Sequence, residues 1–469
     1  MRLRTWIAAF CMAGLLLAPF SAHAALFGEF TLQDEMKMGR EFSVLVTSSM
    51  PMADDPEIRE YAQSIVDRIV SVLPPQPYKF PVQVVLHDSL NAFAAPGGFV
   101  FVYSGLMMQL RHESELAGVL AHEIAHVTQR HIAGRVERGK VMSLASLAGM
   151  LAGLAAGIAG GGDAGGALMA GSMAASSAAM LNYSRVDEDD ADRFGMQYLI
   201  KAGYPSTGMG GAFEVLKSQD WGIRGSMPTY LSTHPDLNLR LARIRTELQS
   251  LPASLRTRGE DDSRFRRIQT LLWARYGDPV LAERFFEARG KTAVGFLGKG
   301  VLAARRNRVK EAEAAFSSAL KLAPRDALIL REAGIFEYTK GDMGRARRHL
   351  EEALRLAPRD YYGLFYYARL LDESGEPGKA QQRYREVLRF VPEDREVHAC
   401  YGRSLGASRK LSEGYLHLAY AALYGGDMRK ARNLLEKSRT AASTPEERQA
   451  IKKYEEIARE REKIMKSAR

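Results

Sequence analysis

His122-Glu123-Ile124-Ala125-His126 sets two imidazoles four residues apart, with a carboxylate directly after the first. On a helix of about 3.6 residues per turn the two histidines share a face and can converge on one ion. Zinc takes imidazole nitrogen at about 2.0–2.1 Å, and a catalytic zinc keeps three protein ligands and one open position. Glu123 lies roughly a quarter-turn round the helix, where it can reach a water on the metal without being a ligand. That is the place of a general base. The preceding run Leu116-Ala117-Gly118-Val119-Leu120-Ala121 gives the helix an apolar stripe to bury. The competing reading is an ordinary helix with two chance histidines.

A third ligand decides between them. His131 follows His126 by five residues, so on a continuous helix it points away from the shared face and reads as surface or core packing. A better source is Ser184-Arg185-Val186-Asp187-Glu188-Asp189-Asp190-Ala191-Asp192. Glu188 and Asp192 share a helix face one turn apart, so Glu188 can bind the metal while Asp192 accepts the second N–H of a ligand histidine. Carboxylates also favour a helix N-terminus for electrostatic reasons alone, and with several acids here chemistry leaves the choice of ligand open.

These segments, with Thr233-His234-Pro235 and Arg240 six residues beyond His234, resemble the minigluzincin metallopeptidases; Asn91-Ala92-Phe93-Ala94-Ala95-Pro96-Gly97-Gly98 and Ser104-Gly105-Leu106 fit the same pattern. The resemblance implies an α+β zincin-type domain, mostly helical with a small sheet, holding one Zn2+ per chain. It implies that His122, His126 and Glu188 bind the zinc, that Glu123 is the catalytic base, and that Asp192 supports a ligand. It further implies that His234 can fill the fourth zinc position and hold the enzyme latent. Pro235 keeps His234 in an extended or turn conformation, on a loop free to swing, so a substrate-facing, oxyanion-stabilising role stays open as well. Arg240 is a candidate to neutralise the acidic cluster, to polarise the scissile carbonyl, or simply to form a structural salt bridge.

Residues 1–24 read as a signal peptide: Arg2 and Arg4, an apolar stretch from Trp6 to Leu17, then Ala22-His23-Ala24, with cleavage after Ala24. The stretch is short for a membrane span of about 20 residues, which disfavours an uncleaved anchor. Cleavage leaves Cys400 as the only cysteine, so no intramolecular disulfide forms in spite of export. The net charge of +10 falls to +8 once Arg2 and Arg4 leave. An exported chain without an aromatic–basic pattern does not suit nucleic acid; acidic partners or peripheral contact with an anionic membrane fit better.

Residues 25–258 form the expected protease domain. Helices are expected over Asp34–Val46 and Asp55–Val70, the second capped by Asp54 or Asp55. Pro81–Leu86 and Gly98–Tyr103 are β-rich runs around the Asn91–Gly97 loop. They make either a plain structural hairpin or a small sheet whose edge takes an extended substrate as a further strand. Gly203-Tyr204-Pro205 ends the Glu188 helix. Residues 141–180 are rich in Ala, Gly, Met and Leu, and residues 141–160 are long enough to span a bilayer. Gly161-Gly162-Asp163-Ala164-Gly165-Gly166 interrupts them, so the expectation is an apolar plug over the cleft, with a membrane hairpin as the alternative.

Residues 259–469 change texture. Pro324, Pro358 and Pro392 recur every 34 residues, the tetratricopeptide period. Gly300, Gly334 and Ala368 hold one phase; Ala312, Ala346 and Ala380 a second; Phe316, Leu350 and Tyr384 a third. Small residues let paired helices approach and the larger ones fill between them, giving an all-α solenoid. Trp273–Gly290 is a degenerate first unit, and residues 445–466 a charged terminal helix. Minigluzincins with an export signal and such repeats imply a periplasmic endopeptidase that degrades misfolded or stalled outer-membrane proteins and assists their assembly. Its partners would be those clients and, through the repeats, the outer-membrane β-barrel assembly machinery. The alternative is mainly a repeat-based chaperone or adaptor with latent proteolysis.

Overall fold

Two N-terminal helices begin at side-chain caps. In α1 (Leu32–Ser49), Thr31 Oγ1 accepts the Asp34 N–H at 3.1 Å while Asp34 Oδ2 accepts the Thr31 N–H at 3.1 Å. In α2 (Pro56–Val70), Asp55 Oδ1 accepts the Glu57 N–H at 2.8 Å and Pro56 takes the first helical position. Ile58, Tyr61, Ala62, Ile65, Val66 and Ile69 recur at spacings of three and four and put one face of α2 in the core. The computed structural model describes residues 30–137, 183–218, 230 and 234–467. The expected signal peptide and the 141–180 plug lie outside the described residues.

Among the described residues the sheet has three strands, β1 (Val82–Val85), β2 (Ala92–Ala94) and β3 (Val100–Tyr103), in the order β1-β3-β2. β1 and β3 run parallel, so the two β-rich runs are not a hairpin. The chain between them reverses twice and contributes β2, which pairs antiparallel with β3. Residues 51–53 cover the outer edge of β1: the Ala53 N–H donates to Val84 O at 2.9 Å and the Leu86 N–H to Pro51 O at 2.8 Å. Among the described residues β2 pairs with β3 alone, so its outer side is the open edge.

Further helices among the described residues are α3 (Ser104–Gln109), α4 (Glu113–Thr128), α5 (His131–Glu137), α6 (Arg185–Lys201), α7 (Thr207–Ser218) and α8 (Leu237–Ser250), with a single turn at Ala253–Arg256 after them. α4 is the central rod, with every residue from Ser114 to Val127 buried. Its first N–H groups have no cap from His112. Asp262 Oδ1 accepts the Glu113 N–H and Glu260 Oε2 the Ser114 N–H, each at 2.9 Å, so acids some 150 residues away cap the helix.

Helix pairs follow: α9 (Ser263–Arg275) with α10 (Pro279–Ala288), α11 (Ala293–Arg305) with α12 (Val309–Leu322), α13 (Ala327–Thr339) with α14 (Met343–Leu356), α15 (Tyr361–Glu373) with α16 (Pro377–Phe390), α17 (Arg395–Ala407) with α18 (Leu411–Tyr424), and α19 (Met428–Ala441) with α20 (Pro445–Ser467). The phase read from the sequence is a packing rule. A Cβ on Gly300 would sit 3.0 Å from the Phe316 ring, and one on Gly334 would sit 2.9 Å from Leu350. Each glycine is the hole that its partner's large side chain fills.

The hydrophobic core runs without a break from the N-terminal helices into the first repeats; Tyr61 of α2 stacks on Phe265 of α9 at 6.2 Å. A buried charge cluster ties the same elements. Arg331 Nη2 lies 2.7 Å from Asp55 Oδ2, its Nε 2.8 Å from Glu332, and its Nη1 3.2 Å from Asp360. Arg275 reaches Glu332 at 2.6 Å and Asp55 at 3.3 Å. Asp55 is thus both the cap of α2 and the counter-ion of a repeat arginine. Among the described residues no helix is long and apolar enough to cross a membrane.

Candidate active site

α4 presents His122, Glu123 and His126 on the face that meets α6, all three at most 1% exposed. α6 starts at a Ser184–Asp187 capping box, which puts Glu188 and Asp192 on successive turns facing α4. The two helices approach closely because Gly195 of α6 lies against the backbone of His122, where a Cβ would be 3.0 Å from its Cα.

Four donors converge. His122 Nε2 and His126 Nε2 are 3.0 Å apart, and Glu188 Oε1 is 3.4 Å from His126 Nε2. His234 Nδ1 is 3.0 Å from Glu188 Oε1 and 3.4 Å from His122 Nε2. The ligand atoms of these four residues all lie within 4.8 Å of one another. A tetrahedral zinc with bonds of about 2.0–2.2 Å has edges of about 3.3–3.6 Å, so the cluster has the size of one such ion. The donor set, three imidazoles and a carboxylate, suits a divalent metal.

Around this set the side chains hold the donors in place. Asp192 Oδ1 lies 3.0 Å from His122 Nδ1, which leaves the Nε2 lone pair aimed at the cluster. Arg240 is buried and grips Asp192 with two hydrogen bonds, Nε to Oδ2 at 2.8 Å and Nη2 to Oδ1 at 2.6 Å; its Nη1 reaches Glu188 Oε2 at 2.5 Å. In this structure Arg240 therefore neutralises the acidic pair. Tyr183 stacks face-on against His126 with centroids 3.8 Å apart, and Tyr230 against His234 at 4.2 Å. His234 is 1% exposed, so the residue expected on a free loop is packed into the site.

Both Glu123 carboxylate oxygens are buried and accept no hydrogen bond from a side chain among the described residues. Burial pushes Glu123 up to about 7, against the pull of His234, whose Nε2 lies 3.6 Å away; the Ala94 amide on β2 also favours its anion. Burial holds His126 well below the usual imidazole range. Burial alone would raise Glu188 and Asp192, but His234 and Arg240 hold Glu188 well below its ordinary value and Arg240 brings Asp192 to about 2. The site thus keeps His122, His126 and Glu188 unprotonated, while against its burial His234 is raised by Glu188 and Glu123, and Glu123 is poised to carry a proton.

Reading the sequence missed three residues. Tyr183 and Tyr230 carry no spacing signal, since stacking partners are set by tertiary packing. His131 is neither surface nor mere packing: it is 7% exposed and its Nδ1 lies 2.8 Å from His126 Nδ1. A helix continuing past His126 would turn His131 away, but α4 ends at Thr128 and Arg130 is left-handed, with φ of 53°.

Residues 53–248 match Peptidase family M48, and residues 338–403 match a tetratricopeptide repeat family. The beta-barrel assembly-enhancing protease of Yersinia pestis is 30% identical over 221 residues, 47% of this chain and 45% of its own. That of Escherichia coli K12 is 29% identical over 231 residues, 49% and 47% of the two chains. The E. coli metalloprotease YcaL is 34% identical over 168 residues, 36% of this chain and 62% of its own. The chain thus spans about half the length of the curated assembly-enhancing relatives it matches.

Proposed function

We propose that this chain, whose residues 53–248 match peptidase family M48, is a zinc-dependent endopeptidase that cuts unfolded or misassembled outer-membrane proteins in the periplasm. The observation that carries this reading is the convergence of His122, His126 and Glu188 beside the fully buried carboxylate of Glu123. The three donors would hold zinc, which when bound acts as a Lewis acid on a peptide carbonyl and lowers the pKa of its water. Glu123 takes the proton of the attacking water at its carboxylate and returns it to the leaving amide nitrogen. Asp192 holds the His122 tautomer, and Arg240 keeps Asp192 and Glu188 ionised. The open edge of β2 binds the substrate as an added strand, beside Glu123 through Ala94. Backbone pairing of this kind disregards side chains, which suits clients defined by being unfolded.

Residues 1–24 direct export and are removed after Ala24, and residues 141–180 plug the cleft. The repeats of residues 259–469 dock the outer-membrane β-barrel assembly machinery or its stalled clients. The names of the assembly-enhancing relatives support this choice of partner. One observation favours a second mode, a repeat-based chaperone or adaptor with latent proteolysis: His234 Nδ1 occupies the fourth corner of the cluster, where a water belongs. The test is cleavage of an unfolded outer-membrane barrel protein by the zinc-loaded chain and by Glu123→Gln. Loss of cutting in the variant with zinc retained is expected. Equal cutting by both would exclude Glu123 as the base.

A further inference from the structure

We propose that His131 is a positioning residue of the metal centre, accepting the Nδ1–H of His126 and thereby holding its Nε2 lone pair toward the ion. The inference rests on the zinc reading above. Two Nδ1 atoms 2.8 Å apart share one proton between them: one ring donates and the other accepts. His126 Nε2 is the atom that faces His122 Nε2 at 3.0 Å and Glu188 Oε1 at 3.4 Å, so it must be bare to ligate. The proton of neutral His126 therefore sits on Nδ1, and His131 accepts it through its own Nδ1.

The backbone delivers His131 to this place. Five residues on along an ideal helix, it would be about 140° away from His126. α4 instead closes at Gln129, whose N–H donates to Ala125 O at 2.9 Å, and Arg130 turns left-handed. α5 then starts afresh with His131 pointing back at the ring it follows. The turn is anchored from α1: Arg130 Nε lies 3.3 Å from Glu35, which is 2% exposed, and its Nη2 donates to Phe30 O at 3.1 Å. His122 and His126 are thus supported differently, the first by a carboxylate clamped on an arginine and the second by an imidazole on a strained turn.

The test is zinc affinity of the full chain, read by competition with a chelating indicator, for wild type, His131→Asn, His131→Asp and His131→Phe. Asn and Asp put an oxygen acceptor near the lost Nδ1, whereas Phe fills the space without one. We expect Phe to bind zinc 10–100-fold more weakly and Asn or Asp to recover most of that loss. Substitution with Co2+ gives a second readout, an altered ligand-field spectrum for Phe alone. If Phe does not fold, the comparison passes to His131→Leu, with the same expectation. Equal affinity in the acceptor and non-acceptor variants overturns the proposal while leaving the zinc reading intact. A wild-type chain that holds no zinc overturns both.

Discussion

Arg331→Met tests whether the repeats and the protease are one energetic unit. Arg331 is 1% exposed and meets Asp55 at 2.7 Å, Glu332 at 2.8 Å and Asp360 at 3.2 Å. Met fills much of the volume but removes the charge, leaving Arg275 as the one guanidinium that the cluster supplies to three carboxylates. Breaking a buried pair from one side costs about 3–5 kcal/mol, and the two surplus acids argue for the upper half of that range. With a urea slope of about 2–3 kcal/mol/M, the midpoint of the transition that separates α2 from the repeats should fall by about 1.3–2.5 M. Asp55→Asn keeps an oxygen to cap the Glu57 N–H, so a double-mutant cycle isolates the charge pair from the cap. We expect a coupling energy above about 1.5 kcal/mol. The pH dependence has a defined sign. Burial alone would raise Asp55, but Arg331 and Arg275 hold its carboxyl below the ordinary value. The stabilisation is therefore present at neutral pH and is lost as pH falls below the usual carboxylate range, and the variant should show less of that acid loss. A midpoint within about 0.3 M of wild type, or a coupling near zero, would refute the claim that this cluster joins the two parts.

Asp54 should behave in the opposite sense. Partial burial, with Asp394 and Glu396 facing it, pushes its carboxyl up to about 6, so ionisation costs stability as pH rises through that value. Asp54→Asn should raise the melting temperature at pH 8 and leave it unchanged at pH 4, as differential scanning fluorimetry would record. Asp192→Leu removes the acceptor for the His122 Nδ1–H while keeping much of the volume, and should weaken zinc binding 10–100-fold in chelator competition. Zinc at about 1,000 times its Kd should stabilise the metal-free chain by about 4 kcal/mol, an effect that His122→Ala abolishes in thermal melts.

The helical frame was legible where sequence period maps directly onto geometry. His122 and His126 four apart, and prolines 34 apart, each imply a face or a phase that the fold then uses, as Gly334 against Leu350 illustrates. Glu188 and Asp192 were legible as a pair, but Arg240 was ambiguous because its partners lie on α6, about 48 residues away. The sheet was read only in part. The runs at residues 82–85 and 100–103 are strongly β-branched and aromatic, whereas Ala92-Phe93-Ala94 has no such signature and becomes a strand by pairing with β3. His131 was missed for a local reason, since nothing in Gln129-Arg130 announces a left-handed residue. That conformation costs about 1–2 kcal/mol in a non-glycine residue, and here Glu35 and Phe30 hold it.

The most direct test of the central claim is the zinc stoichiometry of the purified chain beside Glu188→Gln and Glu123→Gln, by elemental analysis after dialysis. We predict one zinc per chain for the wild type and for Glu123→Gln, and a loss of zinc from Glu188→Gln. Full zinc in Glu188→Gln would contradict the ligand set, and no zinc in the wild type would contradict the metal centre itself.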